Sequence, residues 1–160
     1  MEEIKEIYIE KELIIEKLKV KGFADLVLEM QDGSVFLYDF KSIGSYPYSL
    51  KFGRNKQKNP LTHELQLATY GIAVKEEFGR LDGMQLVYYN KDTSRIKTVD
   101  IDLDLMNAAE DFWKRKAKEH VDGLPLLEEG VSPVMDWECN YCNFKNRCEE
   151  DSLQGKKEKR

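Results

Sequence analysis

What this chain lacks narrows its chemistry before any motif is considered. It holds only three cysteines, all between Cys139 and Cys148. An odd, clustered set is poor material for a disulfide framework and better material for a metal or cluster site. No apolar run approaches the length that spans a bilayer, and the charged opening MEEIKEIYIEKE does not read as a secretory signal. A cytoplasmic protein with no membrane partner is expected, in a host cell's cytoplasm if the protein is viral. A basic surplus is missing too: 25 Lys and Arg stand against 30 Asp and Glu, a formal charge of -5. Any contact with nucleic acid must therefore come from a local patch rather than a general coat. What remains is 160 residues, 41% hydrophobic and 34% charged, enough for one core and too little for two ordinary domains.

The rest is organised around KGFADLVLEMQDGSVFLYDFKS, Lys21 to Ser42. Phe23 to Met30 and Ser34 to Phe40 are rich in β-branched, aromatic and Leu residues, and Gln31-Asp32-Gly33 between them is turn chemistry, so a β-hairpin is predicted. Alternate residues of a strand share a face, which sends Asp39 and Lys41 one way and Phe40 the other, into the core, with its carbonyl left near the site. Asp25 falls across the hairpin on the partner strand. Two carboxylates and a carbonyl suit a hard divalent cation, Mg2+ or Mn2+, that keeps waters for a phosphate to displace. A lysine beside it can orient or deprotonate an attacking water. Taken alone, the same residues also describe a turn cap and a surface ion pair.

Four motifs in order alter that balance: G-x-x-D at Gly22 and Asp25, D-x-K at Asp39 and Lys41, Q-x-x-x-Y at Gln66 and Tyr70, and W-x-C-x-x-C-x-x-x-x-x-C at Trp137, Cys139, Cys142 and Cys148. Together they resemble the PD-(D/E)xK nucleases of the RecB type, and within them the iron-sulfur branch that includes CRISPR-associated adaptation exonucleases and the AddB nuclease domain. The resemblance implies a restriction-endonuclease-like α/β core, a central mixed β-sheet flanked by helices, with a C-terminal Cys-rich tail. It implies that Asp25, Asp39, Lys41, Gln66 and Tyr70 are catalytic, the glutamine and tyrosine positioning DNA or the lysine. It also implies a preceding strand with an acidic residue, for which Glu10 and Glu12 both qualify. The branch begins with a helical segment bearing one cluster cysteine and a metal-site histidine, and neither stands upstream of D-x-K here. A natural short form, a late start codon and a half completed by another chain all stay open.

From Lys41 to Glu64 the composition changes. Lys51, Arg54, Lys56 and Lys58 are interleaved with Tyr46, Tyr48 and Phe52, and no carboxylate intervenes. Gly44, Pro47, Gly53, Asn55, Asn59 and Pro60 mark this as a loop. Ser42, Tyr46, Lys51, Arg54, Lys56 and Lys58 are the candidate nucleic-acid contacts, cations for phosphates and rings for unpaired bases. Pro60 to Phe78 reads as a helix with Gln66 and Tyr70 on one face; His63 lies near its start, where a surface position is expected. Met84 to Tyr89 and the KDTSRIKTVDID stretch read as strands, and Leu103 to His120 as a helix.

The expected organisation is a nuclease core over 1–135, a three-cysteine tail over 136–150 and a disordered polar tail over 151–160. In the resembled branch these cysteines hold part of an iron-sulfur cluster. With no fourth cysteine here, a cluster with another fourth ligand, a zinc ion completed by His120, and free thiols are the alternatives. The functional expectation is a metal-dependent DNA exonuclease acting on single strands or free ends, in recombination, repair, viral DNA processing or CRISPR adaptation, within a larger complex. The alternative is a nucleic-acid-binding or assembly module of the same fold with weakened catalysis.

Overall fold

The computed structural model of the chain describes residues 3–53, 62–122, 140–147 and 150. Two compact units are distinguished, Met1–Lys114 and Arg115–Arg160. The first contains a five-stranded sheet in the order β1 (Ile4–Ile15), β2 (Val20–Met30), β3 (Val35–Ile43), β4 (Gly83–Asn90), β5 (Arg95–Ile101). All neighbours are antiparallel except β3 and β4, which are parallel. A parallel pair needs a crossover, and here it carries two helices, α1 (Ser45–Phe52) and α2 (Thr62–Phe78). This is the mixed sheet with helices that the sequence predicts.

The β2–β3 turn forms where Gln31-Asp32-Gly33 stands. Gly33 has φ +83, a left-handed conformation that a Cβ disfavours. The Met30 amide donates to the Ser34 carbonyl at 2.8 Å and the Gly33 amide to the Met30 carbonyl at 2.9 Å, closing the hairpin. Asp32 Oδ1 accepts from the Ser34 amide and hydroxyl at 2.8 and 2.6 Å.

α2 lies on the sheet through Leu67, Ala68, Ile72, Ala73 and Val74, which meet Leu37, Met84, Leu86 and Tyr88 in one core. Each large apolar side chain withdrawn from water there contributes roughly 1.5–3 kcal/mol. Gly71 permits close packing, since a Cβ at that position would lie 2.6 Å from Met84 Sδ and 3.1 Å from Met106 Sδ. α3 (Leu105–Asp122) brings Met106 and the buried Ala109 to this side, and Trp113 Nε1 donates to Thr69 Oγ1 at 2.9 Å. None of the described helices is long and apolar enough to cross a membrane.

Two expectations are corrected. Phe40 does not enter the core: it is 52% exposed while Asp39 is 2% exposed. Alternation separates the two residues but does not say which face α2 covers, and α2 covers the Leu37–Asp39–Lys41 side. The segment after Lys41 is likewise not all loop, because Ser45–Phe52 is helical. Pro47 falls in the first turn, where its missing N–H is not needed. The Ser45 amide donates to Asp92 Oδ2 at 2.6 Å, so a carboxylate from the β4–β5 turn caps the helix and lies where the helix dipole favours negative charge.

The second unit is described only at the end of α3 and at 140–147 and 150. There the Lys145 amide donates to the Cys142 carbonyl at 3.2 Å, and Cys142 is exposed. The predicted tail beyond residue 150, along with Trp137, Cys139, Cys148 and the His120 side chain, lies outside the described residues.

Candidate active site

β1 and β2 contain an irregularity that shapes this region. Tyr8 is partly buried, an even-numbered position, whereas from Lys11 through Leu13 and Ile15 the odd-numbered positions face inward. The switch occurs at Glu10, whose φ is +47. On β2, Asp25 stands opposite, between the Ile9↔Leu26 and Lys11↔Ala24 partners. Immediately beyond, the β2–β3 ladder stops: its last partners are Leu26↔Tyr38, whereas β3 continues beside β4 to Ile43↔Asn90. The two strands therefore fork at Asp25. Its carboxylate fills the gap, Oδ2 accepting from the Phe40 amide at 2.7 Å. The Phe40 main chain is thereby fixed beside two acidic side chains.

Three of the sequence motifs converge at the fork. Lys41 Nζ lies 2.6 Å from Asp39 Oδ2 and donates to Gln66 Oε1 at 2.9 Å. Gln66 Nε2 donates to the Tyr70 hydroxyl at 3.0 Å. Tyr70 in turn packs against Gly22, where a Cβ would stand 2.6 Å from Tyr70 Cε1. Glycine is what lets the tyrosine close that line. Gln66 and Tyr70, four residues apart on α2, share the face turned to Lys41.

The electrostatics at Asp39 are those of a carboxylate with an unfilled need. Burial pushes its carboxyl above the usual range, and the neighbouring Asp25 adds to this, while Lys41 opposes both. Oδ2 is close to the ammonium, but the contact lacks hydrogen-bond geometry, so this buried oxygen has a charge partner and no hydrogen-bond donor. Lys41 is the cation beside this buried oxygen, and burial still holds the carboxyl up, so further positive charge there would be stabilising. A divalent cation would supply it. No group of three or more His, Cys, Asp and Glu side chains able to hold a metal occurs among the described residues; the oxygen donors near one another here are the Asp25 and Asp39 carboxylates. Such an all-oxygen set fits Mg2+ or Mn2+, which complete their shells with water.

A second polar cluster adjoins the first. Lys51 Nζ reaches Glu64 Oε1 at 2.7 Å and lies 4.9 Å from the centre of the Tyr88 ring. Its side chain is 16% exposed. Lys51 is thus engaged inside the fold rather than presented to phosphates, contrary to the sequence expectation; the carboxylate that claims it comes from α2. His63 is not the surface residue expected either: it is half-buried, with Nδ1 3.1 Å from the Tyr88 hydroxyl.

The other predicted contacts divide. Ser42 and Tyr46 are exposed, Tyr46 at 73%, while Arg54, Lys56 and Lys58 lie outside the described residues. Of the two acidic candidates on β1, Glu12 pairs with Lys21 at 2.9 Å on an exposed face, and Glu10 occupies the left-handed position across from Asp25.

Comparison with known proteins gives a consistent set of likenesses. A family model described as the PD-(D/E)XK nuclease superfamily matches residues 2–149. A CRISPR-associated exonuclease Cas4 of Francisella tularensis subsp. novicida (strain U112) is 27% identical over 136 residues, covering 83% of this chain and 58% of that protein. The chain thus spans somewhat over half the length of this relative. Among solved structures, SSO0001 is similar with a TM-score of 0.50 and 23% identity, over 86% of this chain and 58% of that one. A protein of Eubacterium rectale, provisionally described as an exonuclease, gives a TM-score of 0.53 and 14% identity over 88% and 51% of the two chains. At these identities the two structures bear on the fold alone.

Proposed function

Because the chain belongs to the PD-(D/E)XK nuclease superfamily, we propose that it is a divalent-metal-dependent DNA nuclease that hydrolyses phosphodiester bonds at ends or in single strands, with its active site at the β2–β3 fork. The observation that carries this reading is the continuous line Asp39–Lys41–Gln66–Tyr70 beside Asp25. Asp25, Asp39 and the Phe40 carbonyl would hold the cation, which when bound supplies charge neutralisation and a more acidic water. Lys41, held by Gln66, would keep its ammonium beside the scissile phosphate, where it orients the attacking water and stabilises charge developing on the phosphoryl oxygens. Tyr70 would hold Gln66, and Gly22 would leave Tyr70 its place. Exposed Ser42 and Tyr46 would meet the strand, the ring by stacking on a base.

The relative from Francisella is named as a CRISPR-associated exonuclease, which supports an exonuclease reading; DNA is the proposed substrate, in CRISPR adaptation, repair, recombination or viral DNA processing. For the C-terminal cysteines, an iron-sulfur cluster is proposed ahead of zinc. Visible absorbance after anaerobic purification, with iron and zinc analysis, tests it.

The test of the nuclease reading is cleavage of labelled single- and double-stranded DNA, and of RNA, with Mg2+, Mn2+ or EDTA, by the wild type, Asp39→Ala and Lys41→Ala. Metal-dependent DNA cleavage lost in both variants is expected. Equal activity in all three proteins, or none in the wild type, would remove the enzyme reading; DNA binding retained without cleavage would favour the assembly-module alternative.

A further inference from the structure

His63 stands three residues before Gln66 on α2, so both look toward the same part of the sheet. Gln66 reaches Lys41, and the partner of His63, Tyr88, is the residue paired with Lys41 across the parallel β3–β4 register. The imidazole is therefore held beside the catalytic lysine by the fold itself.

The state of the ring follows from its neighbours. Tyr88 is fully buried, so its hydroxyl hydrogen requires an acceptor. Lys51, bonded to Glu64 and 4.9 Å from the Tyr88 ring centre, is an ammonium and can only donate. His63 Nδ1 at 3.1 Å is the acceptor in reach among the described contacts. We assign the tautomer in which Nδ1 receives the tyrosine hydrogen and the imidazole carries its own hydrogen on Nε2. Burial, reinforced by the Lys41 ammonium, holds His63 below its usual range and keeps the ring neutral. A partly buried ion pair, a buried tyrosine hydroxyl and a half-buried histidine are a costly way to fill space that apolar side chains would fill as well. Their combined effect is to leave one ring nitrogen, with a fixed hydrogen, for a partner outside the cluster.

We propose that His63 is a further functional residue of this site: a neutral hydrogen-bond donor, through Nε2–H, to a non-bridging oxygen of the phosphodiester held beside Lys41, with Tyr88 and Lys51 as positioning residues that set its tautomer. The inference rests on the nuclease reading above and names a substrate contact within it. A phosphoryl oxygen is the complementary partner because it accepts only, and because its charge grows where this donor stands.

The experiment is steady-state cleavage of end-labelled single-stranded DNA by the full chain with Mg2+, comparing His63→Ala, His63→Asn and His63→Gln. His63→Ala and His63→Asn should lose about 10–100-fold in kcat, with KM within about threefold, as for removal of one transition-state donor. The glutamine amide reaches the Nε2 position, so His63→Gln should recover to within about fivefold of wild type. The pH–rate profile of His63→Ala should keep the wild-type shape. Wild-type kcat in His63→Ala overturns the proposal, as does a folded His63→Gln no faster than His63→Ala. So does the loss of a pH limb in His63→Ala, which would make the ring a proton-transfer group. If His63→Gln does not fold, Tyr88→Phe decides: it should lower kcat when His63 is present and leave His63→Ala unaffected, and equal effects in both backgrounds overturn the proposal. Cleavage by the wild type that Lys41→Ala abolishes, with His63→Ala unimpaired, would sink this inference and leave the nuclease reading standing. No cleavage by the wild type removes both.

Discussion

The β2–β3 pair has two ends, and they treat their carboxylates in opposite ways. At the turn, Asp32 accepts two hydrogen bonds from Ser34, and Asp82 accepts from the Val35 amide and from Arg80 Nε, both at 2.8 Å. Both carboxyls are held below the usual range, Asp32 chiefly by the Ser34 hydroxyl and Asp82 chiefly by Arg80. At the fork, Asp39 is buried, one of its oxygens lacks a donor, and its carboxyl is pushed up. The turn end spends its acids on holding the chain; the fork end keeps an acid at a cost to the fold. The carboxylates at one end serve the chain's own hydrogen bonds, while the fork end is the one proposed for chemistry.

The contrast can be broken most severely at Lys41 and Asp39. Alanine at either position should lower cleavage by about 10²–10³-fold or more, while Asp82→Asn stays within about twofold of wild type, measured on the same DNA. A large loss in Asp82→Asn with its fold intact would erase the division between the two ends.

Gly22→Ala probes the line behind Lys41. The added methyl group would stand 2.6 Å from Tyr70 Cε1, so Tyr70 must move away from Gln66. A rate loss of about tenfold and a destabilisation of about 1–3 kcal/mol are expected. Gly22→Ala combined with Tyr70→Ala should regain part of the stability and none of the rate, as read by denaturant titration beside the activity assay.

A bound cation should change the fork end alone. At Mg2+ about 100-fold above its dissociation constant, the wild type should gain about 2.7 kcal/mol against unfolding, and Asp39→Ala should gain far less. Equal thermal shifts in the two proteins would place the ion elsewhere.

The smallest effect sharpens the comparison through pH. Because the folded pKa of Asp82 is depressed, its stabilising contribution is present above the ordinary carboxylate value and disappears as pH falls through the folded value. Asp39 has the opposite sign: its folded pKa is raised, so the ionised form opposes folding above that value and the penalty lifts as pH falls. Asp82→Asn should therefore flatten the loss of stability between neutral pH and about pH 3, while Asp39→Asn should steepen it, as followed by denaturant unfolding.

The strands, the turn and the convergence of Asp25, Asp39, Lys41, Gln66 and Tyr70 were legible in the sequence because each depends on short-range rules: alternation, turn residues, four-residue helical spacing. What was not legible depends on partners far along the chain. Alternation could not say that α2 would cover Asp39 and leave Phe40 open. The α1 helix was hidden because its cap, Asp92, lies 47 residues away. Lys51 looked like a phosphate ligand because its acceptor, Glu64, arrives on another helix. His63 was undervalued for the same reason, since only the folded chain brings Tyr88 to it. The one local hint was its place three residues before Gln66, on the face already assigned to the site.

The hydrogen bond from the Phe40 amide to Asp25 has a practical consequence. It makes one side chain both a rung of the sheet and a negative charge. An asparagine there offers the same accepting oxygen without the charge, so Asp25→Asn should leave the scaffold standing and remove only the proposed hold on the cation. Crystals of that protein with intact DNA would trap the strand before it is cut.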